Sequence, residues 1–424
     1  MAVSIELLAL YRALFERSCD AVNALASALH THYIRRGFHV TNKEVCVRTL
    51  FYSYLTLSGQ GGTVLEPFRR SLGHAIQWYD ILQVEIESTV DNILQECQNI
   101  TLAAKVPQSP PPLSPSTSSA KNNLPLVRAF CAPTLVQRCP ACFGGQDFGR
   151  PLDSGGDVHV AMDGNFHHRH RRSAGDCPPF YDPIYFLPKS QVDEVGKRIN
   201  TARKHPPRQY KVAVPDEAVD QCETSYEAAD GKKQKAAMDS FDDTGIMALI
   251  CRHDIPLFFT NIDTPGEQQK YSVALIEHFF SLIPLRCNVV ILYDIGCVLA
   301  RSVMKVCTYA SLIWLGFIND SQYSILGPLI TSRIRFATTA MHAYGHEWAC
   351  QLVYNPRLIE GLGLSDGEGT ERLWSRFIKL IGIQRASSVG QYNKTVMVVS
   401  LFPAPMPHLA HRLSCWHCCQ RDGY

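Results

Sequence analysis

Two apolar runs of one design, "VHVAMD" at 158–163 and "VVILYD" at 289–294, constrain this chain more than any other feature. Short stretches of β-branched, aromatic and other apolar residues bounded by turn formers read as buried strands. Each run stops at an aspartate, Asp163 in the first and Asp294 in the second. A carboxylate at the mouth of a buried strand is costly unless something positive sits beside it. The pair predicts a sheet that delivers two acids to one end, with a cation or a basic group to meet them.

The order of the surrounding segments narrows the fold. After the first strand come "GIMALIC" and "IPLFFTNI", joined by "RHD" as a hairpin-like pair. "PGEQQKYSVALIEHFFSLI" follows, with Pro265 at the expected helix start and an apolar stripe of Val273, Ile276 and Phe280. Beyond the second acid strand, "RIRFATTAMHAYGHEWACQLVYN" and "DGEGTERLWSRFIKLIGI" read as helices. Acid strand, two strands, helix, acid strand, then a helix bearing acids is the ribonuclease H-like layout. The fold class expected is therefore α/β, a mixed sheet flanked by helices.

In that layout Asp163 faces Asp294 and a glutamate of the "GEGTE" segment across two Mg²⁺ or Mn²⁺ ions. Two such ions activate a water or a 3′-hydroxyl and steady the leaving oxygen of a phosphodiester. Hard cations take carboxylate and water oxygens, so three protein acids suffice. Glu368 and Glu371 are three apart and share a helix face. One can bind metal while the other pairs with Arg372 or caps the helix start at Asp366.

Composition sets the frame. A chain of 424 residues, 46% hydrophobic and 19% charged, is globular, and a net charge of +2 makes any nucleic-acid signal local. The opening "MAVSIELLALYRALFERSCD" suits an amphipathic soluble helix better than an export segment. The longest apolar run, at 306–318, is too short to span a bilayer, so no membrane partner is expected. Sixteen cysteines without a secretion signal point to reduced thiols, some of them metal ligands, and to an intracellular address. Residues 1–100 read as helical, and 101–135 as a linker whose "PQSPPPLSPSTSSAKNN" cannot build a core. Residues 136–388 form the mixed core, with insertions at 172–240 and 302–330, and 389–424 an irregular tail.

Cysteine and histidine spacing marks candidate zinc ligands. "CPAC" places Cys139 and Cys142 at zinc-knuckle spacing, half of a site. Cys251 and His253 of "CRHD" are candidates for the other half; Cys177 with His167, His168 or His170 is an equal alternative. "HAYGHEWAC" offers His342, His346 and Cys350 at i, i+4 and i+8 of an expected helix, a further zinc stripe. It is no metalloprotease motif, since HExxH is not met. "HHRHRR" at 167–172 lies just after Asp163, and His168, Arg169, Arg171 and Arg172 are expected to hold a DNA strand across the acids. Neither this run nor "KRINTARKHPPRQYK" carries a base-reading motif.

Longer ordered stretches resemble one family. "QRCPACFGG", "MDGNF", "FLPKSQVDEVGKRI", "DDTGIMALICRHDIPLFFTNIDTPGEQQKYSVALIEHFFSLIP", "VVILYDIGC" and "RFATTAMHAYGHEWACQLVYNPRLIEGLGLSDGEGTERLWS" resemble the Kyakuja–Dileera–Zisupton (KDZ) transposases of fungal genomes. The resemblance spans most of 1–100, 136–300 and 331–385. It implies a DDE-type cut-and-paste transposase on a ribonuclease H-like core: two-metal strand cleavage, then transfer of the freed 3′-hydroxyl. "MDGNF" gives Asp163 as first acid and "YDIGC" gives Asp294 as second. "ERLWS" is similar to the run around the catalytic glutamate of hAT transposases, which favours Glu371 over Glu368. The implied partners are double-stranded DNA, transposon ends and target alike, and a second copy of the chain, with a nuclear address. The chain departs from the family in opening without a Cys-x-Cys cluster, in 302–330 and beyond 388. Those departures suit the alternative, a transposon-derived remnant that binds DNA or protein without catalysis.

Overall fold

The computed structural model describes residues 2–18, 22–38, 68–104, 130–174, 184–204, 213–225, 239–266, 268–304 and 325–384. The Pro/Ser-rich 107–123 segment, Cys177 and the 389–424 tail lie outside the described residues. The chain divides into two compact units, Met1–Asn122 with Pro179–Tyr181, and Asn123–Pro178 with Asp182–Tyr424.

The first unit is helical: α1 (Ile5–Ser18), α2 (Val22–Arg35) and the long α3 (Arg69–Ala104). Ala26, Phe68 and Leu72 form its buried centre, with Val22, Leu25, Leu29 and Ile76 packed around them. Arg12 of α1 pairs with Glu87 of α3 at 3.2 Å.

The second unit is built on a five-stranded sheet. Its strands are β1 (Val158–Asn165), β4 (Gly245–Cys251), β5 (Pro256–Ile262), β6 (Val289–Tyr293) and β7 (Ile334–Ala337), in the order β5-β4-β1-β6-β7. β4 runs antiparallel to both β1 and β5, whereas β6 is parallel to β1 and to β7. A two-residue β2 (His170–Arg171) pairs with β3 (Phe241–Asp243) as a separate ribbon. Helices α4 (Pro133–Arg138) and α5 (Pro140–Phe143) precede the sheet, and α6 (Lys189–Ala202) and α7 (Asp216–Ser225) occupy the polar 172–240 insertion. The parallel connections are made by α8 (Gln269–Ser281) from β5 to β6 and α9 (Gly296–Met304) from β6 toward β7. The chain then adds α10 (Pro328–Thr331), α11 (Trp348–Tyr354) and α12 (Gly369–Phe377).

Side-chain alternation divides the sheet into two faces. Val158, Val160 and Met162 of β1, with Val289, Ile291 and Tyr293 of β6, join the main core. That core also holds Tyr271, Ile276 and Phe279 of α8 and Val192, Val195 and Ile199 of α6. The other face carries Ala161, Asp163, Leu292 and Asp294 and lies under α12. Burying each large apolar side chain here is worth roughly 1.5–3 kcal/mol.

Three local expectations change. "RIRFA" is strand β7 and not helix, because it completes the parallel edge beside β6 and buries Ile334, Phe336 and Ala337. The helix expected from Pro265 begins at Gln269, since Gly266 turns the chain through φ +79° in between. Ile325 and Leu326, within the 302–330 interruption, are buried in the main core.

Gly296 opens α9 directly behind Asp294, and a Cβ there would lie 2.4 Å from the Ala337 carbonyl oxygen of β7. That neighbour is backbone in a paired strand and cannot step aside. Gly296→Ala is expected to lower stability by about 1–3 kcal/mol, the usual range for overpacking, read from the midpoint of urea unfolding.

Candidate active site and Cys/His clusters

The parallel register between β1 and β6 sets Met162 opposite Tyr293. The next residue on each strand is an aspartate, so Asp163 and Asp294 are neighbours on one face of the sheet, away from the main core. Asp163 still belongs to β1, whose pairing with β4 continues to Asn165; Asp294 follows the last residue of β6.

Each acid is held by named donors. The indole N–H of Trp374 donates to Asp163 Oδ2 at 2.6 Å, and the Gly164 amide to Oδ1 at 2.7 Å. Thr339 Oγ1 donates to Asp294 Oδ1 at 2.6 Å, and His342 Nδ1 lies 3.1 Å from the same oxygen. The Met341 amide donates to Glu368 Oε1 at 2.7 Å. His342 sits among all three acids: its hydrogen bond to Asp294 pushes its pKa up to about 9, and the charges of Glu368 and Asp163 add to the rise. Asp294 Oδ2 and Glu368 Oε2 accept no hydrogen bond among the described residues.

The helix that carries the glutamates sorts them. Gly369, Thr370, Leu373, Trp374 and Phe377 form the buried face of α12, and the His168 ring packs tilted against Trp374 and edge-on to Phe377, with Phe259 tilted against Phe377. Glu371 falls on the opposite, exposed side. Glu368 is the N-cap residue, 8% exposed, at the end of α12 nearest the aspartates. Both line an open cavity with Met341, Arg357, Asp366 and Arg372. Arg372 donates to Asp254 at 2.6 and 2.8 Å and to Asp366 at 3.1 Å, tying α12 to the β4–β5 turn. Of the two roles open to the second glutamate, neither is taken by Glu371: Arg372 pairs with aspartates, and Asp366 Oδ1 accepts from the Glu368 amide at 3.0 Å.

The basic run divides in the same way. His168, one of the expected DNA contacts, is fully buried against Trp374 and Phe377. Its apolar surroundings account for that burial. His170 is also buried and bonds Asp242 at 2.6 Å. Arg169, half-buried, spends its Nε on the Phe166 carbonyl at 3.0 Å. Arg171, in β2, and Arg172, directly after it, are exposed.

Two Cys/His clusters could hold zinc, each with four ligand atoms within 4.8 Å of one another. The first joins Cys139 and Cys142 to Cys251 and His253, the pairing with "CRHD". Cys251 ends β4 and His253 occupies the following turn, with Nδ1 at 3.5 Å from Cys139 Sγ and 3.2 Å from Cys142 Sγ. Hydrogen bonds from Cys142 and Cys251 pull the Cys139 thiol far down toward thiolate. The second cluster gathers Cys222, Cys297, His346 and Cys350, all buried. There a hydrogen bond from Cys297 lowers Cys350 to about 5. His342 is not a member. The expected i, i+4, i+8 stripe fails because a 3-10 turn over His342–Gly345 breaks from α11, so His342 turns to Asp294. No local spacing marks Cys222 and Cys297, since the fold alone brings the 172–240 insertion beside α9.

A family model described as Kyakuja-Dileera-Zisupton transposase (KDZ) matches residues 157–399, more than half of the chain. The chain belongs to the KDZ transposase family. The KDZ match holds both acid strands, both glutamates and the whole second cluster, and runs through 302–330 and past 388. Cys139 and Cys142 precede it. No curated protein and no solved structure matches the chain. Among the described residues no helix is long and apolar enough to cross a membrane.

Proposed function

We propose that this KDZ family member is a DDE-type DNA transposase in which Asp163, Asp294 and Glu368 form the carboxylate trio of a ribonuclease H-like core. The observation that carries the reading is the placement of the three acids around His342, with Asp163 within β1 beside Asp294, which directly follows the neighbouring parallel strand β6. The strand order β5-β4-β1-β6-β7, antiparallel on one side of β1 and parallel on the other, supports the fold assignment.

The donor set fits hard divalent cations. Carboxylate oxygens of Asp294 and Glu368 that carry no other bond are the ligands Mg²⁺ or Mn²⁺ prefer. When bound, two such ions would supply a nucleophilic oxygen and charge neutralisation at the phosphodiester. The chain's own groups do the rest. Trp374 fixes the rotamer of Asp163, and Thr339 and His342 orient Asp294. His342, cationic below about pH 9, balances acid charge when the trio is empty. Arg171 and Arg172 would draw the DNA backbone toward the site.

The test is incubation of the parent protein with a duplex carrying the element's terminal sequence, plus a target plasmid, in Mg²⁺ or Mn²⁺. Nicking at the element end followed by joining to the target is expected. Binding without nicking in either metal leaves the non-catalytic remnant, and nicking without joining leaves a plain nuclease. Replacing Arg171 and Arg172 with Ala is expected to weaken DNA binding and to shallow the log K against log salt slope by about 0.9 for each phosphate that is no longer neutralised. An unchanged slope would place the DNA path elsewhere.

A further inference from the structure

The second Cys/His cluster draws on segments far apart in sequence. Cys222 comes from α7, Cys297 from α9, His346 from the turn before α11 and Cys350 from α11. Three thiols and an imidazole are an odd filling for a small apolar core in which the other members include Val214, Val219 and Val298. The hydrogen bonds give them a purpose. His346 Nε2 lies 2.8 Å from the Asp294 carbonyl oxygen, which can only accept, so Nε2 carries the proton. The remaining Nδ1 lone pair points at the cysteines, 3.4 Å from Cys297 Sγ. A zinc-bound histidine takes this arrangement, one nitrogen on the metal and the other N–H held by a backbone carbonyl. The Glu347 amide donates to Cys222 Sγ at 3.2 Å, as suits a thiolate. Three Cys and one His complete a tetrahedral shell with no open position, the pattern of structural zinc.

We propose that Cys222, Cys297, His346 and Cys350 bind one structural Zn²⁺, which ties α7 and α11 to the turn that carries Asp294. The metal site stands on its own residues; only its value for catalysis rests on the role proposed for Asp294. Holding His346 through Nδ1 fixes the Asp294 carbonyl through Nε2, and with it the backbone from which the carboxylate projects. His346 is thus a positioning residue. The centre adds to what holds α7 on the core: apart from Cys222 its buried apolar face is Val219, and Arg301 of α9 pairs with its Asp220 and Glu223 at 2.5 and 2.8 Å.

The test is zinc content of the purified full chain and its variants. Cys297→Ser and Cys350→Ser are each expected to carry one zinc equivalent fewer than the parent. A His253→Ala change in the first cluster combined with either should lose a further equivalent. Amide exchange at 294–300 should quicken at least about tenfold in Cys297→Ser, while β1 and β4 keep their protection. A parent-like zinc content in both serine variants overturns the site. Unchanged exchange at 294–300 after zinc loss overturns the positioning role. Should the serine variants fail to fold, Co²⁺-loaded protein carrying Cys139→Ala, Cys142→Ala and His253→Ala, which leaves the first cluster a single thiol, decides: absorption of a multi-thiolate cobalt centre in the near ultraviolet is expected from the second cluster, and its absence rejects the proposal. None of these readouts uses DNA, so the zinc centre and the carboxylate trio stand or fall separately.

Discussion

Asp163→Asn and Asp294→Asn should each abolish metal-dependent nicking while DNA binding stays within about twofold of the parent, because backbone affinity comes from distant basic groups. An amide in place of either carboxylate removes a charge that a divalent cation needs, and several kcal/mol of transition-state stabilisation corresponds to a loss of about a thousandfold or more. Both amides keep the size of the acid. The one at 294 can still accept from Thr339, and the one at 163 can accept from Trp374 while giving up the Gly164 amide bond, a loss of about 1 kcal/mol that folding should survive. Thermal unfolding and salt-dependent binding, run beside the nicking assay, separate a chemical defect from a structural one. Variants that nick like the parent would show that other acids do the work.

The glutamates offer a sharper contrast. Glu368→Gln is expected to reduce nicking as severely as the aspartate variants, and Glu371→Gln to stay within about threefold of the parent, the range of a surface charge change. The reason is the helix register. Glu368 caps α12 with its carboxylate at the Met341 amide, near His342, while Glu371 projects from the exposed side opposite Leu373 and Trp374. The reverse outcome would mean that α12 rotates or refolds when DNA binds. It would also restore the preference that the similarity of "ERLWS" to hAT transposases suggests.

Particular residues show what the sequence could and could not disclose. Strands β1 and β6 were legible because their apolar runs and the acids that follow them are local properties, and the β4–β5 hairpin because "RHD" separates two apolar runs. β7 was not legible. "RIRFA" is short and runs on into "TTAMHAYG", and only its neighbour β6 makes it a strand. Similarly, Cys139 and Cys142 advertised themselves by spacing, but Cys222 and Cys297 have no local motif and meet only through tertiary packing. The "HHRHRR" run looked uniform in charge, yet strand alternation and the approach of α12 bury His168 and His170 and leave Arg171 and Arg172 outside. Spacing set Glu368 and Glu371 on a common helix face. A helix that starts at Gly369 instead leaves Glu368 as its cap and so separates them.

Iron-directed cleavage tests the shared metal site most directly. Fe²⁺ bound in place of Mg²⁺, with ascorbate and peroxide, cuts the polypeptide next to its ligands, and the fragments can be mapped by mass spectrometry. Cuts are expected beside Asp163, Asp294 and Glu368 together, and excess Mg²⁺ or any one of the three amide substitutions should suppress all of them. Cuts confined to one of these segments, or cleavage that Mg²⁺ does not suppress, would contradict a common carboxylate site.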